Sequence, residues 1–585
     1  MNAPTSTSVP GSLGPRQRRR DLDRLADEEF DVLVIGGGIT GVGCALDAAT
    51  RGLSVALVEQ RDIASGTSSR SSKLLHGGLR YLEQRDFALV REALHERGLL
   101  TRTVCPHLVR PVRFLIPLNH RVWQRLYYGA GVLLYDLLAW TGKNPLPRHR
   151  HLSRTSALEL VPGLKQSTLI GGIVYSDAQI DDARHTLAVA RTAARHGAAV
   201  ATSTQVTGLV FEDDTAPPED RVVVGAEVRD LEGDRTIVCR AKKVVNATGV
   251  WIDDIQDMAG PTGLTVRAAK GVHIVVPRDR IESHSGVVLR TPRSVLFIIP
   301  WGVHWLIGTT DTDWSHDRAH PAASQADIDY ILEHANAALA RPLTEDDIVG
   351  VYAGLRPLVS GAEDEDTAKL SREHAVAEPV RGLISIAGGK YTTYRVMAAD
   401  TIDTVVEGLD RPVPASCTDE VTVLGSEHWD EWSDEAPDLA ARHGLPVDLV
   451  ERLLWRHGTR INDVFDLFDE DDALREVISG LYVAAEIVHA CRHEGALHLE
   501  DVLARRLRIS IEVEERGTAI AHEAAALMAR ELGWDDRRTA AEIRAWQRRV
   551  DAELAANDAP DDSAADTIRR QVVDARGLVD DDEDT

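Results

Sequence analysis

At 585 residues the chain is longer than one hydrophobic core usually serves, so about two or three domains are expected. The formal charge of -26 at pH 7 excludes general nucleic-acid binding, which needs a basic surface. Five cysteines stand far apart and form no Cys-x-x-Cys pair, so neither a disulfide framework nor a structural zinc site is predicted, as suits a reducing cytoplasm.

The N-terminal segment, residues 1–29, is predicted to be a disordered basic arm. It is rich in serine, proline and glycine and then carries Arg16, Arg18, Arg19 and Arg20. It lacks the apolar core of a signal peptide, so no export is expected. The rest of the chain offers no apolar run of the roughly 18 residues that a membrane-spanning helix requires.

A βαβ unit opens the folded part of the chain. Residues 31–36 form a continuous β-branched run that ends in glycine, which predicts a buried strand. A glycine-rich turn and an alanine-rich helix follow to about Thr50, and a second strand runs from Ser54 to Glu59. This order of elements predicts an α/β fold.

The turn inside this unit has the spacing of a dinucleotide cradle. Three glycines follow the G-x-G-x-x-G pattern, which allows a tight turn, close approach to a pyrophosphate and helix packing. Amides at the helix start face the phosphates, and a carboxylate after the second strand can accept from both ribose hydroxyls. These predicted cofactor contacts are Gly36, Gly38, Gly41, Ile39, Thr40 and Glu59.

A second string rich in hydroxyls and glycine occupies residues 67–82. Its hydroxyls can bind phosphates and the edge of a ring, and its Gly-Gly pair lets the backbone pass close to a flat ring. The predicted cofactor contacts in this string are Thr67, Ser68, Ser71, Ser72, Lys73, His76, Gly77 and Gly78.

Residues 101–150 are basic and aromatic in an otherwise acidic chain. Eight arginines and lysines stand here against the single Asp136, among tryptophans, tyrosines and leucines. Such a composition suits a helix that lies in a membrane interface. A buried helical hairpin with a basic rim is the alternative, and both stay open.

Two later elements favour FAD over NAD. Residues 244–249 are a strand that runs into Ala-Thr-Gly, and glutathione-reductase-like flavoproteins carry a similar element near the adenine half of FAD. Residues 388–394 open a helix whose dipole can stabilise negative charge on a reduced flavin. FAD is therefore the predicted cofactor, with further contacts at Thr248, Gly249, Gly388, Gly389, Lys390, Tyr391 and Thr392.

The last third of the chain changes pattern. Residues 411–556 carry apolar side chains at helical spacing, which predicts a separate helical module. Residues 557–585 are acidic and free of aromatics, so a disordered tail is predicted. His489 and His493 share a helix face, but a metal site would need a third ligand there. We predict no metal site and a solvent-facing histidine pair.

Seven strings of the sequence, taken together, resemble one known family. They occupy residues 71–82, 175–184, 246–249, 270–277, 307–311, 354–358 and 388–395, and their order matches that of respiratory, FAD-dependent glycerol-3-phosphate dehydrogenases. The resemblance covers roughly residues 30 to 400. It implies a D-amino-acid-oxidase-like α/β fold: a Rossmann-like FAD-binding domain interleaved with a mixed-sheet substrate domain over residues 30–410, followed by an all-α C-terminal cap domain.

The resemblance also assigns roles to residues of the site. Arg80, Arg356 and Lys390 would hold the substrate phosphate, since guanidinium forks and an ammonium match a dianion. Tyr81 would contact the glycerol end, and Arg372 is a weaker candidate because the residues after it depart from the family pattern. Three side chains are predicted to act in catalysis: His273 as the base, His76 as its rival and Arg356 as a positioned cation.

The implied reaction is oxidation of sn-glycerol 3-phosphate to dihydroxyacetone phosphate by hydride transfer from C2 to FAD, with a quinone as electron acceptor. Three alternatives stay open: a soluble oxidase that uses oxygen, an amine- or amino-acid-oxidising flavoenzyme, and a non-catalytic flavin redox sensor. The expected location is cytoplasmic and peripheral on the inner face of the plasma membrane, through residues 101–150. A homodimer is left open.

Overall fold

The computed structural model describes most of the chain. The described residues are 9–83, 86–120, 122–140, 146–167, 169–217, 220–260, 263–292, 295–359 and 373–576. The side chains of Arg80 and Glu83 fall outside this description, although both residues belong to a helix.

The described strands in chain order are β1 (Glu29–Ile35), β2 (Val55–Val58), β3 (Leu74–Leu75), β4 (Val109–Leu118), β5 (Arg150–Ser153), β6 (Gly171–Ile180), β7 (Ala199–Ala201), β8 (Thr204–Phe211), β9 (Val223–Asp230), β10 (Arg235–Asn246), β11 (Val266–Pro277), β12 (Gly286–Arg290), β13 (Val295–Trp301), β14 (His304–Gly308), β15 (Thr312–Trp314), β16 (Gly350–Val359), β17 (His374–Val380), β18 (Leu383–Gly388), β19 (Val477–Ser479) and β20 (Tyr482–Val483).

The described α-helices are α1 (Pro15–Asp27), α2 (Ile39–Thr50), α3 (Leu79–Glu83), α4 (Phe87–Leu99), α5 (Trp123–Trp140), α6 (Arg154–Leu160), α7 (Asp182–Arg195), α8 (Ile252–Asp257), α9 (Gln325–Ala338), α10 (Tyr394–Glu407), α11 (Trp429–Trp432), α12 (Ala436–His443), α13 (Val447–His457), α14 (Asn462–Glu470), α15 (Ala484–His493), α16 (Ile509–Glu512), α17 (Ala521–Leu532), α18 (Asp536–Asn557) and α19 (Asp562–Arg570).

The first sheet is the predicted Rossmann-like unit. Its strands run in the order β17-β18-β10-β1-β2-β7, and the five from β18 to β7 are parallel. Apart from its first residue, β1 is buried throughout, as expected for a parallel strand covered on both faces. Because β1, β10 and β18 are neighbours, the turns after their carboxyl ends meet at one edge of the sheet.

The second sheet has ten strands and corresponds to the predicted substrate domain. Its order is β15-β11-β14-β13-β12-β4-β6-β3, with β16 on β11 and β5 on β6. Most neighbours are antiparallel and β12 with β4 is parallel, so the sheet is mixed. The chain crosses between the two sheets repeatedly, since β3 to β6 and β11 to β16 interrupt the first sheet. The predicted interleaved architecture is confirmed.

The C-terminal module is helical, as predicted, apart from one small hairpin. Its core is formed by α12 to α18, with apolar side chains such as Leu453, Val464, Ile487 and Met528 fully or almost fully buried. Burial of one such side chain contributes about 1.5–3 kcal/mol. The hairpin pairs β19 with β20 through a turn at Gly480, whose positive φ of 53° suits glycine.

The N-terminal segment differs from the predicted disordered arm. Residues 15–27 form α1, which packs on the first sheet with Leu22 and Leu25 buried. Arg18 donates to the carbonyl of Thr202 at 3.0 Å and pairs with Asp230 at 2.5 Å. The sequence prediction was wrong here because it treated these arginines as solvated, whereas one of them is bound by the core. Residues 1–8 lie outside the described part.

The C-terminal segment also differs from the predicted disordered tail. After α18 the chain forms α19, and Asp562 pairs with Lys270 of β11 at 2.5 Å. Asp574 then pairs with Arg61 at 2.9 Å, and Arg576 pairs with Asp501 at 2.9 Å. These carboxylates have buried basic partners, which a prediction from composition alone misses. The acidic run at residues 580–584 lies outside the described part.

Helix α5 carries the aromatic part of the basic window. One face is buried through Val132, Tyr135 and Ala139, and the other presents Trp123, Leu126, Leu133, Leu137 and Trp140 at 50–69% exposure. It is therefore neither fully buried nor fully solvated. Within the described ranges, no helix has the length and apolarity needed to cross a bilayer.

Candidate active site

A cavity of about 770 Å³ lies where the two sheets meet. It is lined by most of the residues that the sequence singles out. These are Gly36, Gly38, Ile39, Thr40, Glu59, Thr67, Ser68, Ser71, Ser72, His76, Tyr81, Thr248, Gly249, His273, Arg356, Gly388, Gly389, Lys390, Tyr391 and Thr392. Elements spread over more than 350 residues of sequence thus contribute to one site.

The glycine turn after β1 leaves no room for a Cβ at two of its three motif glycines, Gly36 and Gly41. Gly36 has a φ of 113°, and a Cβ there would lie 2.7 Å from the carbonyl oxygen of Ala247. A Cβ at Gly41 would lie 1.9 Å from the carbonyl oxygen of Gly36, so this third glycine packs the helix on the turn and does not line the cavity. This geometry fits the cradle of a dinucleotide.

Glu59 and the hydroxyls of the next loop complete the cradle. Glu59 accepts from the amides of Gly37 at 2.7 Å and Arg61 at 2.8 Å, and burial raises its pKa above the usual range. Ser68 Oγ accepts from the amide of Ile39 at 2.9 Å, at the start of α2. A carboxylate and hydroxyls that line the cavity can bind the ribose and the phosphates of FAD, so these groups fit the predicted cofactor.

Lys73 does not line the cavity, contrary to its prediction as a cofactor contact. It is fully buried, and its ammonium pairs with Asp182 at 2.9 Å and donates to the carbonyl of Ser69 at 3.2 Å. A buried ammonium needs a carboxylate partner, and the head of α7 supplies one. Its position in the hydroxyl-rich string gave no sign of this partner.

Gly77 and Gly78 also lie outside the cavity lining. A Cβ at Gly77 would lie 2.7 Å from Leu94 Cγ of α4, and its amide donates to the hydroxyl of Tyr135 at 2.8 Å. Gly78 has a φ of 76°, and a Cβ there would lie 2.2 Å from the ring of Tyr81. These glycines are needed for packing against α4 and for the turn into α3.

Two predicted cationic side chains face the cavity. Arg356 of β16 pairs with Asp311 at 3.0 Å and donates to Thr309 Oγ1 at 3.0 Å, which fixes its guanidinium. Lys390 has its ammonium 3.7 Å from the ring centre of Tyr81. Arg80 lies in α3 beside Tyr81, but its side chain is outside the described part, as is the whole of Arg372.

His273 lies in β11 at the wall of the cavity and is almost fully buried. Its ring stacks on Tyr352 with centroids 4.9 Å apart, and its Nε2 lies 2.9 Å from Ser72 Oγ. Among the described residues, no partner is within hydrogen-bond reach of Nδ1. Burial, helped by the charges of Arg356 and Lys73, lowers the pKa of His273 to about 3, so the imidazole is neutral at pH 7.

His76, the rival to His273, lines the same cavity. Its amide lies 3.3 Å from Thr392 Oγ1, and its ring centroid lies 6.5 Å from that of Phe297. The two histidines therefore approach the cavity from different elements, the loop after β3 and strand β11.

Sequence reasoning missed several groups at the site. Tyr352 stacks on His273, and Asp566 and Arg570 of α19 line the cavity. Tyr352 stands two residues before the Gly-Leu-Arg string, which could have indicated it. Nothing in the sequence points to α19, because its partners lie hundreds of residues away.

The predicted solvent-facing pair at His489 and His493 is wrong. His489 is fully buried, and it forms a close cluster with His457 and Glu494. In that cluster Arg184 pairs with Glu494 at 2.7 Å and lies 3.3 Å from His457 Nδ1. A guanidinium therefore already provides the positive charge beside the Glu494 carboxylate.

This geometry defines a class of protein, an FAD-dependent oxidoreductase, and comparison with known proteins agrees. The family model described as FAD dependent oxidoreductase matches residues 31–395, and the model of the C-terminal domain of alpha-glycerophosphate oxidase matches residues 416–539.

The particular family follows from relatives. The chain is 54% identical over 571 residues to glycerol-3-phosphate dehydrogenase 2 of Mycobacterium tuberculosis, covering 97% of this chain and 96% of the relative. It is 37% identical over 561 residues to human mitochondrial glycerol-3-phosphate dehydrogenase, covering 92% of this chain and 75% of the relative. The chain belongs to the FAD-dependent glycerol-3-phosphate dehydrogenase family.

A solved structure supports both the fold and the cofactor. The glycerol-3-phosphate dehydrogenase from Bacillus halodurans, complexed with FAD, matches with a TM-score of 0.74 and 30% identity, covering 94% of this chain and 99% of that one. The L-alpha-glycerophosphate oxidase from Mycoplasma pneumoniae matches with a TM-score of 0.52 at 18% identity, which shows the shared fold.

Proposed function

We propose that the protein oxidises sn-glycerol 3-phosphate to dihydroxyacetone phosphate and passes the electrons to a membrane quinone. One observation carries the substrate: Arg356 and Lys390 line the same cavity as the neutral imidazole of His273. Cations suit a phosphate, and a neutral imidazole suits a hydroxyl proton. The names of the relatives support the same substrate.

The residues of the site are proposed to have separate roles. Arg356, held by Asp311 and Thr309, binds and orients the phosphate together with Lys390 and, as a further proposal, Arg80 and Arg372. Tyr81 stacks under the Lys390 ammonium and bounds the glycerol end. Bound FAD would supply the acceptor for the hydride that leaves C2.

His273 is proposed to take the proton of the C2 hydroxyl. Its pKa of about 3 makes it a weak base in the absence of substrate. Since Arg356 contributes to lowering that pKa, a phosphate dianion on Arg356 offsets the effect and raises the basicity of the imidazole. His76 remains the second candidate for this role.

The quinone and the membrane surface are proposed from α5. Its exposed tryptophans and leucines belong to the same stretch of sequence as the exposed Arg113, Arg148 and Arg150, and Arg148 lies 5.2 Å from the ring centre of Trp140. An apolar helix face beside basic residues binds anionic lipid surfaces. Contact on this face would place the protein on the inner surface of the plasma membrane, facing the cytoplasm; a homodimer is compatible with this placement.

Anaerobic titration with sn-glycerol 3-phosphate tests the substrate. The flavin absorbance near ~450 nm is expected to bleach, and Arg356→Ala should raise KM and lower kcat together, by about 100-fold or more in kcat/KM. Arg267→Ala is the matched control, since this half-buried arginine of the adjacent strand β11 does not line the cavity, and it should change neither. An unchanged spectrum contradicts the substrate and supports either an amine substrate or a non-catalytic flavin role.

Reoxidation of the reduced protein tests the acceptor. A quinone analogue should reoxidise the flavin faster than dissolved oxygen does. The name of the matched C-terminal family, an oxidase, makes oxygen the second candidate. Rapid peroxide formation in air would establish that alternative.

Vesicle binding tests the membrane face. Leu126→Gln with Leu137→Gln removes apolar area at two exposed positions of α5 and should weaken binding to anionic vesicles about 10-fold or more. Val238→Gln with Val303→Gln, also exposed but on strand and turn positions elsewhere, is the control. Equal binding by all three proteins would remove α5 from the proposal.

A further inference from the structure

One loop, residues 69–73, connects the candidate base to groups far from the cavity. Ser72 Oγ lies 2.9 Å from Nε2 of His273. The hydroxyl of Tyr352 donates to the carbonyl of Ser71 at 3.0 Å, while its ring stacks on His273. The loop therefore holds the edge of the imidazole through Ser72. Tyr352, which is bonded to the same loop, holds its face.

Asp182, at the start of α7, holds this loop from the other side. One carboxylate oxygen accepts from the amide of Ser71 at 2.9 Å and from its hydroxyl at 2.7 Å. The other pairs with the ammonium of Lys73 at 2.9 Å. Lys73 and Asp182 are both fully buried, and Lys73 has a φ of 57°, a strained backbone for a residue with a side chain. The ion pair stabilises this conformation.

Arg508, which belongs to the cap domain, completes the network. Its guanidinium pairs with Asp182, pairs with Asp181 at 2.8 Å and donates to the carbonyl of Ser69 at 3.0 Å. It is 2% exposed, so all of these contacts are shielded from water. A planar guanidinium can bridge two carboxylates and a carbonyl at once, which an ammonium cannot match in geometry.

We infer that Arg508 is a positioning residue for His273, acting through Asp182 and the loop that ends at Ser72. The inference rests on the proposed function, in which His273 takes the hydroxyl proton. A base that is misplaced by about 1 Å can lose about 100-fold in rate, so the contacts that fix its ring matter to the chemistry. The cap thereby contributes to catalysis without lining the reacting end of the cavity.

The charged and titratable groups around His273 allow a specific readout. Arg356 and Tyr352 face it from β16, Lys73 from the loop, and Ser72 from its edge. Release of the loop changes the position of Lys73 and Ser72 while Arg356 stays in its strand. The pH profile of flavin reduction should therefore move, whereas the KM for a substrate held by Arg356 should stay within about twofold.

A double-mutant cycle on the holoenzyme tests the inference. Ser72→Ala and Arg508→Lys should each slow anaerobic flavin reduction by saturating sn-glycerol 3-phosphate about 10-fold and move its pH profile in the same direction. The double variant should be no slower than the slower single variant, because both changes break one path. Additive slowing, or an unchanged rate in Arg508→Lys, overturns the inference.

The matched control is Arg184→Lys, since Arg184 is also a buried arginine between the cap and the core, paired with Glu494. It should leave the rate and the pH profile unchanged. If it slows reduction as much as Arg508→Lys does, general loosening of the cap is the cause and the inference fails.

A second measurement does not depend on turnover. Diethyl pyrocarbonate modifies neutral imidazoles, and mass spectrometry of the modified holoenzyme gives the rate at each histidine. His273 should react at least about threefold faster in Arg508→Lys and Ser72→Ala than in the wild type, because its ring is no longer held. His76, in the same cavity, is the internal control. An unchanged rate at His273 overturns the inference, whereas a wild type that substrate does not bleach contradicts only the proposed function.

Discussion

The glycine turn and the contact between the cap and α7 both border the site, and they differ in construction. The turn is made of backbone: Gly36 and Gly41 are required because a Cβ would collide with a neighbouring carbonyl oxygen. The cap contact is made of long charged side chains, such as Arg508 with Asp181 and Asp182.

The two regions are expected to respond differently to substitution and to pH. Backbone packing leaves no alternative arrangement, so a single added methyl group is costly. Buried ion pairs contribute little net stability but cost several kcal/mol when one partner is removed, and they respond to pH. A substitution in the turn should therefore cause a large loss of stability, whereas a substitution at an ion pair of the cap should cause a smaller loss that depends on pH.

The largest effect is expected at the turn. Gly41→Ala places a methyl group 1.9 Å from the carbonyl oxygen of Gly36 and should lower the free energy of unfolding by about 3 kcal/mol or more. The flavin-to-protein ratio of the purified variant should fall with it. Gly131→Ala is the control, because the described residues place no atom within 4 Å of the new methyl group. A variant with full flavin content and wild-type Tm would contradict the backbone account.

An intermediate effect is expected at a second ionic contact of the cap, with the β9–β10 turn, as a function of pH. His498 of the cap bonds Glu232 of the β9–β10 turn at 2.8 Å and Glu542 of α18 at 2.9 Å. Burial and Arg576 act against protonation, but the two carboxylates raise the pKa of His498 to about 9. Because the folded pKa lies above the unfolded value, this stability is fully present below pH ~6.5 and is lost as pH rises through ~9.

The corresponding measurement is thermal or urea unfolding from pH 6 to 9.5. His498→Gln should remove on the order of 3 kcal/mol at the low end and almost nothing at the high end, which follows from the shift in pKa. His95→Gln, at an exposed histidine, is the control. A pH-independent loss would mean that His498 acts by packing alone.

The smallest effect is expected at a surface pair. Arg229 and Asp234 lie 2.6 Å apart on the β9–β10 hairpin, with both side chains more than half exposed. Solvent screening leaves such a pair with a contribution of at most about 1 kcal/mol to the free energy of unfolding. Arg229→Ala should therefore leave the Tm nearly unchanged. A large drop would show that burial does not explain the difference in stability between the cap contacts and the surface pair.

The same comparison explains what could be predicted from the sequence. The cradle, Thr248-Gly249 and Gly388-Gly389 could be found because each needs a particular residue at a particular place in a strand–turn–helix unit. The parallel order β18-β10-β1 then brings the three turns together. Family resemblance added His273, Arg356 and Lys390, which line the cavity.

What escaped prediction depends on distant partners. Composition predicted a disordered arm at Arg18 and a disordered tail at Asp574, yet Asp230 and Arg61 bind them. Lys73 stands in a string that was predicted to bind the cofactor, but its ammonium pairs with Asp182. A pairing across more than a hundred residues leaves no local pattern, so sequence periodicity cannot show it.

The position of helix α19 in the sequence has a consequence for the order in which the site is made. Asp566 and Arg570 line the cavity, yet they follow both sheets and the cap in the sequence. A ribosome therefore adds them after both sheets and the cap have been synthesised. During synthesis the rest of the described cavity lining is made before this wall, and until then the cofactor cavity lacks its side chains there.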